Sequence, residues 1–237
     1  MIVLASIILV LGLLFAAGFV PRLPLFSRSR LRTSDKVVAL TFDDGPSPYT
    51  PQVLKVLKRY HVRATFFVIG ENVKKYPVLA RRIVTSRHVL ANHSNDHDLS
   101  NMLVSGPWAT VRNVQTANLT ITKATGVVPA LYRPPHGYRS LWGAYALRRS
   151  GFHIVNWDNM TFDYRASISP QWIERRILKK VKPGSIIVLH DGKETRRDMY
   201  RGNMLAALPH IIEGLQAQGY QFQTVDKLLN IPAHKTT

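Results

Sequence analysis

The chain has 237 residues, 46% hydrophobic and 19% charged, and no cysteine. That composition suits one globular domain with a substantial core, and it excludes a disordered chain, disulfides and thiolate metal sites. The net charge of +18, from 32 Lys+Arg against 14 Asp+Glu, attracts polyanions such as anionic lipid headgroups or acidic wall polymers; the basic residues are scattered in pairs, and no specific nucleic-acid partner is expected.

Residues 1–20, "MIVLASIILVLGLLFAAGFV", carry no charged side chain. A run of about twenty apolar residues can span a bilayer core as a helix. Pro21 breaks it, and "RLPLFSRSRLR" follows. A membrane anchor is expected over residues 1–21 and a juxtamembrane linker over 22–35. A cleaved signal peptide with "FAAG" as its cleavage site is the rival reading. The expected location is a membrane-anchored protein with the rest of the chain outside the cytoplasm, or a secreted one if the segment is cleaved. The arginines after the span favour the opposite orientation by themselves.

From residue 36 onward, β-rich apolar runs alternate with amphipathic segments. "VVALTF", "ATFFVIG", "HVLANHS", "ALYRPPHG", "FHIVNW", "SIIVLHDG" and "YQFQTV" read as strands. Helical patterns fill residues 50–62, 76–86, 108–126, 141–151, 169–181 and 203–219. Three of them end in glycine, at Gly126, Gly151 and Gly219, a common helix stop. The alternation predicts an α/β fold with mainly parallel strands, and roughly seven repeats point to a barrel. In such barrels functional side chains gather at the carboxyl ends of the strands. Those ends carry Asp43-Asp44, "NHSNDH", "RPPHG", "WDNMTFDY" and "LHDG", which is more Asp, His and Arg than turn-making alone requires.

His93 and His97 stand four residues apart, a spacing that puts two imidazoles on one face of a helical turn. Two histidines and one carboxylate with an open position form a catalytic zinc arrangement. Asp44 can supply the carboxylate, leaving Asp43 beside the metal as a base. Read alone, "DDG" is a capped turn, with Asp43 or Asp44 bonding the backbone ahead of Gly45. Arg133, in a loop stiffened by two prolines, can pair with a carboxylate of the cleft. His190 ends an apolar run and can protonate a leaving group, with Asp163 as the partner that orients and charges it; a hydrogen-bonded core histidine is the alternative. Trp157, on a strand, is expected in the core.

Taken in order, "TFDDGP", "HSNDH", "RPPHG", "FDY" and "VLHDG" resemble the five motifs of the NodB-homology polysaccharide deacetylases, carbohydrate esterase family four. The resemblance runs from about Lys36 to about Leu229. It implies a catalytic domain over residues 36–229, a tail over 230–237, and a distorted (β/α)7-type barrel. It also implies a metal-dependent hydrolase that removes N-acetyl groups from N-acetylglucosamine units of a polysaccharide such as peptidoglycan or chitin-like oligomers. Through the motifs it implies Asp43 as general base, Asp44, His93 and His97 as ligands of one divalent ion, zinc or cobalt, and Arg133 as the residue that positions the base. It implies His190 as general acid and Asp163 as the carboxylate that tunes it. A backbone N–H at His136 would face the oxyanion, and Leu189 would receive the acetyl methyl; Tyr164 and Trp142 complete the expected substrate-binding set. The chain departs from the family at His136, where Tyr is usual, at Tyr164, where Trp is common, and at Met160, where Asp is common. O-acetyl ester cleavage, as on xylan, and a non-catalytic polysaccharide-binding protein are the alternatives.

Overall fold

The computed structural model describes residues 27–98, 106–193 and 200–235, together with Ser6 and Gly12. The expected anchor over residues 1–21 therefore lies outside the described residues, apart from those two positions. Among the described residues no helix is long and apolar enough to cross a membrane.

The chain from residue 37 alternates strand and helix. Its strands are β1 (Val37–Gly45), β2 (Thr65–Val68), β3 (Val89–Asn92), β4 (Leu131–Tyr132), β5 (His153–Ile154), β6 (Asn159–Met160), β7 (Ile186–His190) and β8 (Gln221–Gln223). Its helices are α1 (Thr50–Arg59), α2 (Gly70–Lys75), α3 (Pro77–Thr85), α4 (Gly106–Thr125), α5 (Leu141–Arg149), α6 (Pro170–Lys180), α7 (Gly202–Ala217) and α8 (Val225–Leu229). The strands form one parallel sheet in the order β5-β4-β3-β2-β1-β7-β6, with β8 beside the start of β1. It is a curled barrel-like sheet whose end strands β5 and β6 do not pair with each other, which is the distortion expected of a (β/α)7-type barrel. The segment before β1 packs along this gap: Arg28 bridges to Val155, and Leu31 donates to the Gly184 carbonyl. The far end of the chain is tied down too, with His234 bridged to Pro129.

Strand periodicity explains the two layers of the core. Side chains alternate across a strand, so Val38, Leu40 and Phe42 of β1 pack outward with Ile187 and Leu189 of β7 against α1, α6 and α7. Ala39, Phe67, Ala91, Leu131, Ile186 and Val188 fill the opposite face with Trp157, and α8 adds Val225, Leu228 and Leu229 to it. Burying one such Leu, Ile or Phe contributes about 1.5–3 kcal/mol. The glycine stops are where the spacing put them: Gly126, Gly151 and Gly219 hold φ of 79°, 77° and 83°, left-handed values that close a helix at little cost for glycine.

Candidate active site

β1 and β7 pair in register so that Asp43 stands beside His190, and Thr41 beside Val188. β3 ends at Asn92, one residue before His93. The carboxyl ends of these three strands bring five of the expected residues to one place. Asp44, His93 and His97 are all buried, and one ligand atom from each lies within 4.8 Å of the others.

The chain builds this cluster with unusual backbone. Asp44 has φ of 69°, a left-handed value that Asp tolerates better than most residues. Asn72 holds it there by donating to its carbonyl at 2.7 Å. The "NHSNDH" segment is not a helical turn, contrary to the spacing argument. Ser94 and His97 take φ of 71° and 60°, and the segment is a loop folded back on itself. Asn92 Oδ1 accepts the Ser94 N–H at 2.8 Å, and Ser94 Oγ accepts the His97 N–H at 3.0 Å. The two imidazoles still meet, with ring centroids 5.0 Å apart, because the loop does what a helix turn would have done.

The donor set fits a metal on three counts. Asp44 Oδ1 is 3.4 Å from His93 Nε2 and 3.4 Å from His97 Nε2. Ligands held about 2.0–2.1 Å from a tetrahedral ion stand about 3.3–3.4 Å apart. Asp44 Oδ1 is buried and accepts no hydrogen bond among the described residues, an expensive state for a carboxylate oxygen unless a cation faces it. His93 Nδ1 lies 2.8 Å from the Arg133 carbonyl; a carbonyl only accepts, so Nδ1 carries the proton and Nε2 keeps its lone pair. Burial pulls His97 down to about 3, which makes it a neutral, ligand-ready imidazole. Burial works against ionised Asp44, but the facing imidazoles of His93, His97 and His190, in their protonated forms, outweigh it and hold the carboxyl far below the usual range.

On one side of this cluster stands Asp43. Arg133 Nη1 donates to Asp43 Oδ1 at 2.6 Å and to Thr41 Oγ1 at 2.8 Å, and Nε and Nη2 donate to the carbonyls of Val155 and Asn156. Arg133 is wholly buried, with its guanidinium 3.9 Å from the Phe67 ring centroid. That is a charge-assisted pair inside a low dielectric, with every arm of the arginine used. Asp43 Oδ2 remains toward the metal ligands, 3.9 Å from His93 Nε2. On the other side, His190 Nδ1 lies 3.0 Å from Asp163 Oδ1, and Asp163 Oδ2 accepts the His190 N–H at 2.8 Å. Burial would lower His190; the Asp163 carboxylate, seconded by Asp44 and Asp43, more than reverses it and pushes the imidazole up to about 9.

The remaining expected residues are placed unevenly. The Tyr164 ring lies edge-on to His190 at 5.1 Å, and the His136 ring lies 4.8 Å from His97, on a residue with φ of 56°. Both belong to the rim. Leu189 does not reach the site. It is fully buried in the outer core, on the face of β7 opposite His190; by parity Val188, 1% exposed, shares the face of His190. Trp142 is 70% exposed on α5, and none of the ring contacts or hydrogen bonds of the cluster involves it. Trp157 lies in the core over Arg133. Sequence reading passed over Asp191, which immediately follows the histidine in "LHDG". It is fully buried, and burial together with the nearby Asp44 and Asp43 pushes it up to about 7. Its position beside His190 was the available signal.

A family model described as polysaccharide deacetylase matches residues 30–155. A peptidoglycan-N-acetylglucosamine deacetylase of Bacillus cereus is 34% identical over 208 residues, 83% of this chain and 89% of that protein. A bifunctional xylanase/deacetylase of Pseudobutyrivibrio xylanivorans is 35% identical over 84% of this chain and 31% of its own length. Among solved structures, a peptidoglycan N-acetylglucosamine deacetylase in complex with 4-naphthalen-1-yl-N-oxidanyl-benzamide superposes with a TM-score of 0.83 at 28% identity, covering 89% of this chain and 96% of that one. A match over more than half the chain, with a relative aligned nearly end to end, leaves one assignment: the chain belongs to the polysaccharide deacetylases, carbohydrate esterase family four, a family of metal-dependent hydrolases.

Proposed function

We propose that the protein removes N-acetyl groups from N-acetylglucosamine units of peptidoglycan. The observation that carries this is a base and an acid on adjacent strand ends, Asp43 opposite His190, either side of the Asp44–His93–His97 donor set. Asp44, His93 and His97 would hold a divalent ion, zinc by the nitrogen-and-oxygen donor set and cobalt as a substitute, which when bound would supply Lewis-acid polarisation of the amide carbonyl and activation of the attacking water. Asp43 takes the proton of that water at Oδ2, the oxygen that Arg133 leaves unengaged. Arg133 fixes the carboxylate in place. His190 gives a proton from Nε2 to the leaving amine nitrogen while Asp163 holds Nδ1. The backbone N–H of His136 is assigned to the oxyanion, where one donor contributes about 3–4 kcal/mol. Val188 takes the place of Leu189 as the apolar wall for the acetyl methyl, and Tyr164, Trp142 and the His136 side chain are assigned to the substrate rim.

The substrate choice is supported by the relative from Bacillus cereus, which aligns along 89% of its length and is named for peptidoglycan N-acetylglucosamine. The xylanase/deacetylase relative supports a second reading, O-acetyl ester cleavage at the same site. The uncharged run over residues 1–20 supports a membrane anchor, or secretion if it is cleaved; a peptidoglycan substrate is what argues for a catalytic domain outside the cytoplasm. Acetate release by the full chain decides among these substrates. Zinc-loaded protein is expected to release acetate from peptidoglycan and from N-acetylglucosamine oligomers, and metal-stripped protein is not. Release from acetylated xylan alone would favour the ester reading, and zinc-loaded protein inert on all three polymers would overturn both.

A further inference from the structure

The sheet holds Asp43, which pairs with Phe67 of β2 and His190 of β7, but its ladder skips Asp44. The register between β1 and β2 breaks between Asp43 and Gly45, and Asp44 is left-handed. Asn72 holds the Asp44 carbonyl from one side. Asp191 adds contacts from the strand end that carries His190. Its N–H donates to the Asp43 carbonyl at 3.2 Å, and its own carbonyl accepts from Ser47 Oγ. Its Oδ2 accepts from Thr50 Oγ1 at 2.5 Å, and the same Thr50 oxygen accepts the Ser47 N–H at 2.8 Å. A Cβ built on Gly45 would lie 2.5 Å from Asp191 Oδ1, so the carboxyl lies hard against the turn that follows Asp44. Asp191 thus touches the turn at Asp43, Gly45, Ser47 and Thr50, from β1 to the first residue of α1.

We infer that Asp191 is a positioning residue for the proposed deacetylation: it braces the turn after β1 so that Asp43 and Asp44 are locked to the strand end bearing His190. The inference rests on the deacetylase reading of the site. A carboxyl that merely filled space would affect folding stability and leave the folded enzyme unchanged. A brace sets metal affinity and turnover, and cutting it from either end has the same effect. Residues that orient metal ligands from behind typically change affinity or activity about 10- to 100-fold when removed.

The test compares the full chain with Asp191→Ala, Asp191→Asn, Thr50→Val and the double variant Asp191→Ala/Thr50→Val. Zinc affinity, kcat and KM on N-acetylglucosamine oligomers, and Tm are measured for each. Asp191→Ala and Thr50→Val are each expected to lower kcat about 10- to 100-fold and to weaken zinc binding about 10-fold, with KM within about twofold. The double variant should be no worse than the single ones, since both cut one link. Asp191→Asn keeps the acceptor for Thr50 and is expected to restore most of the activity. Wild-type zinc affinity and kcat in both single variants, with only Tm lowered, would overturn the inference, as would an Asp191→Asn as impaired as the alanine. If Asp191→Ala does not fold, Thr50→Val decides alone. A wild-type chain that binds no zinc would sink the reading of the site itself, an outcome distinct from variants that match an active wild type.

Discussion

Asp43 and Asp44 are neighbours in sequence, and their surroundings separate them. Asp43 faces a buried arginine, whereas Asp44 faces three imidazoles and keeps one oxygen without a hydrogen bond among the described residues. Asp43→Asn keeps shape and volume but cannot take a proton. It is expected to cut kcat by about 10²- to 10⁴-fold while zinc content stays at that of the wild type, because the donor set is untouched. Acetate release with metal analysis on the same sample checks this; activity within tenfold of wild type would remove Asp43 from the role of base. His190 gives the pH dependence its sign. Its pKa in the fold, about 9, is raised above the ordinary value, so the proposed acid is charged at neutral pH and kcat is expected to fall as pH rises through the folded value. A divalent cation in the adjacent donor set repels the imidazolium, so that limb lies at or below about 9. The same group stabilises the fold fully below the ordinary histidine value of about 6.5, and the contribution fades as pH climbs toward 9. Asp163→Asn removes the largest stabiliser of the charged form and should move the alkaline limb of kcat to lower pH. A limb that stays in place in that variant would show that Asp163 does not tune the acid.

At the scale of elements, parity along a strand decides what each residue can reach. In β7, Ile186, Val188 and His190 share one face, and Ile187 and Leu189 share the other. Leu189→Ala is therefore a core mutation: it should cost about 2–5 kcal/mol of stability and leave kcat of the folded enzyme near wild type. Val188→Ala should instead alter kcat/KM on acetylated substrates. Thermal melts and steady-state kinetics on the pair separate the two, and the reverse pattern would return the acetyl pocket to Leu189. Motif matching put Leu189 in the pocket because it adjoins His190 in sequence; alternation across the strand puts it on the wrong side. The seven strands were legible because each is a short apolar run bounded by turn residues. β6 has only two residues, Asn159 and Met160, and α2 and α8 only six and five, too short for a period to show. The histidine loop was legible as a metal pair for a reason that did not hold locally, since Asn92 and Ser94 build a left-handed loop rather than a helix turn. Spacing could not show Asp191, because its role rests on contacts with β1 and α1, some 140 residues earlier.

For the whole molecule, the donor set joins the ends of strands that are not neighbours in the sheet. Asp44 lies at the end of β1, and His93 and His97 follow β3, with β2 between them in the sheet. A cation bound there is a cross-link of the folded state that the unfolded chain cannot make in the same geometry. It should stabilise the protein by about 2.7 kcal/mol when free zinc is 100 times the dissociation constant. For a chain of this size that corresponds to a rise in Tm of roughly 5–11 °C. Differential scanning calorimetry of the full chain, metal-stripped and then reloaded with zinc, measures it. The rise should disappear in His97→Ala and persist in Asp43→Asn, because only the first removes a donor. If zinc raised Tm equally in the wild type and in His97→Ala, the ion would be binding elsewhere on the molecule, and Asp44, His93 and His97 would lose their assignment as its ligands.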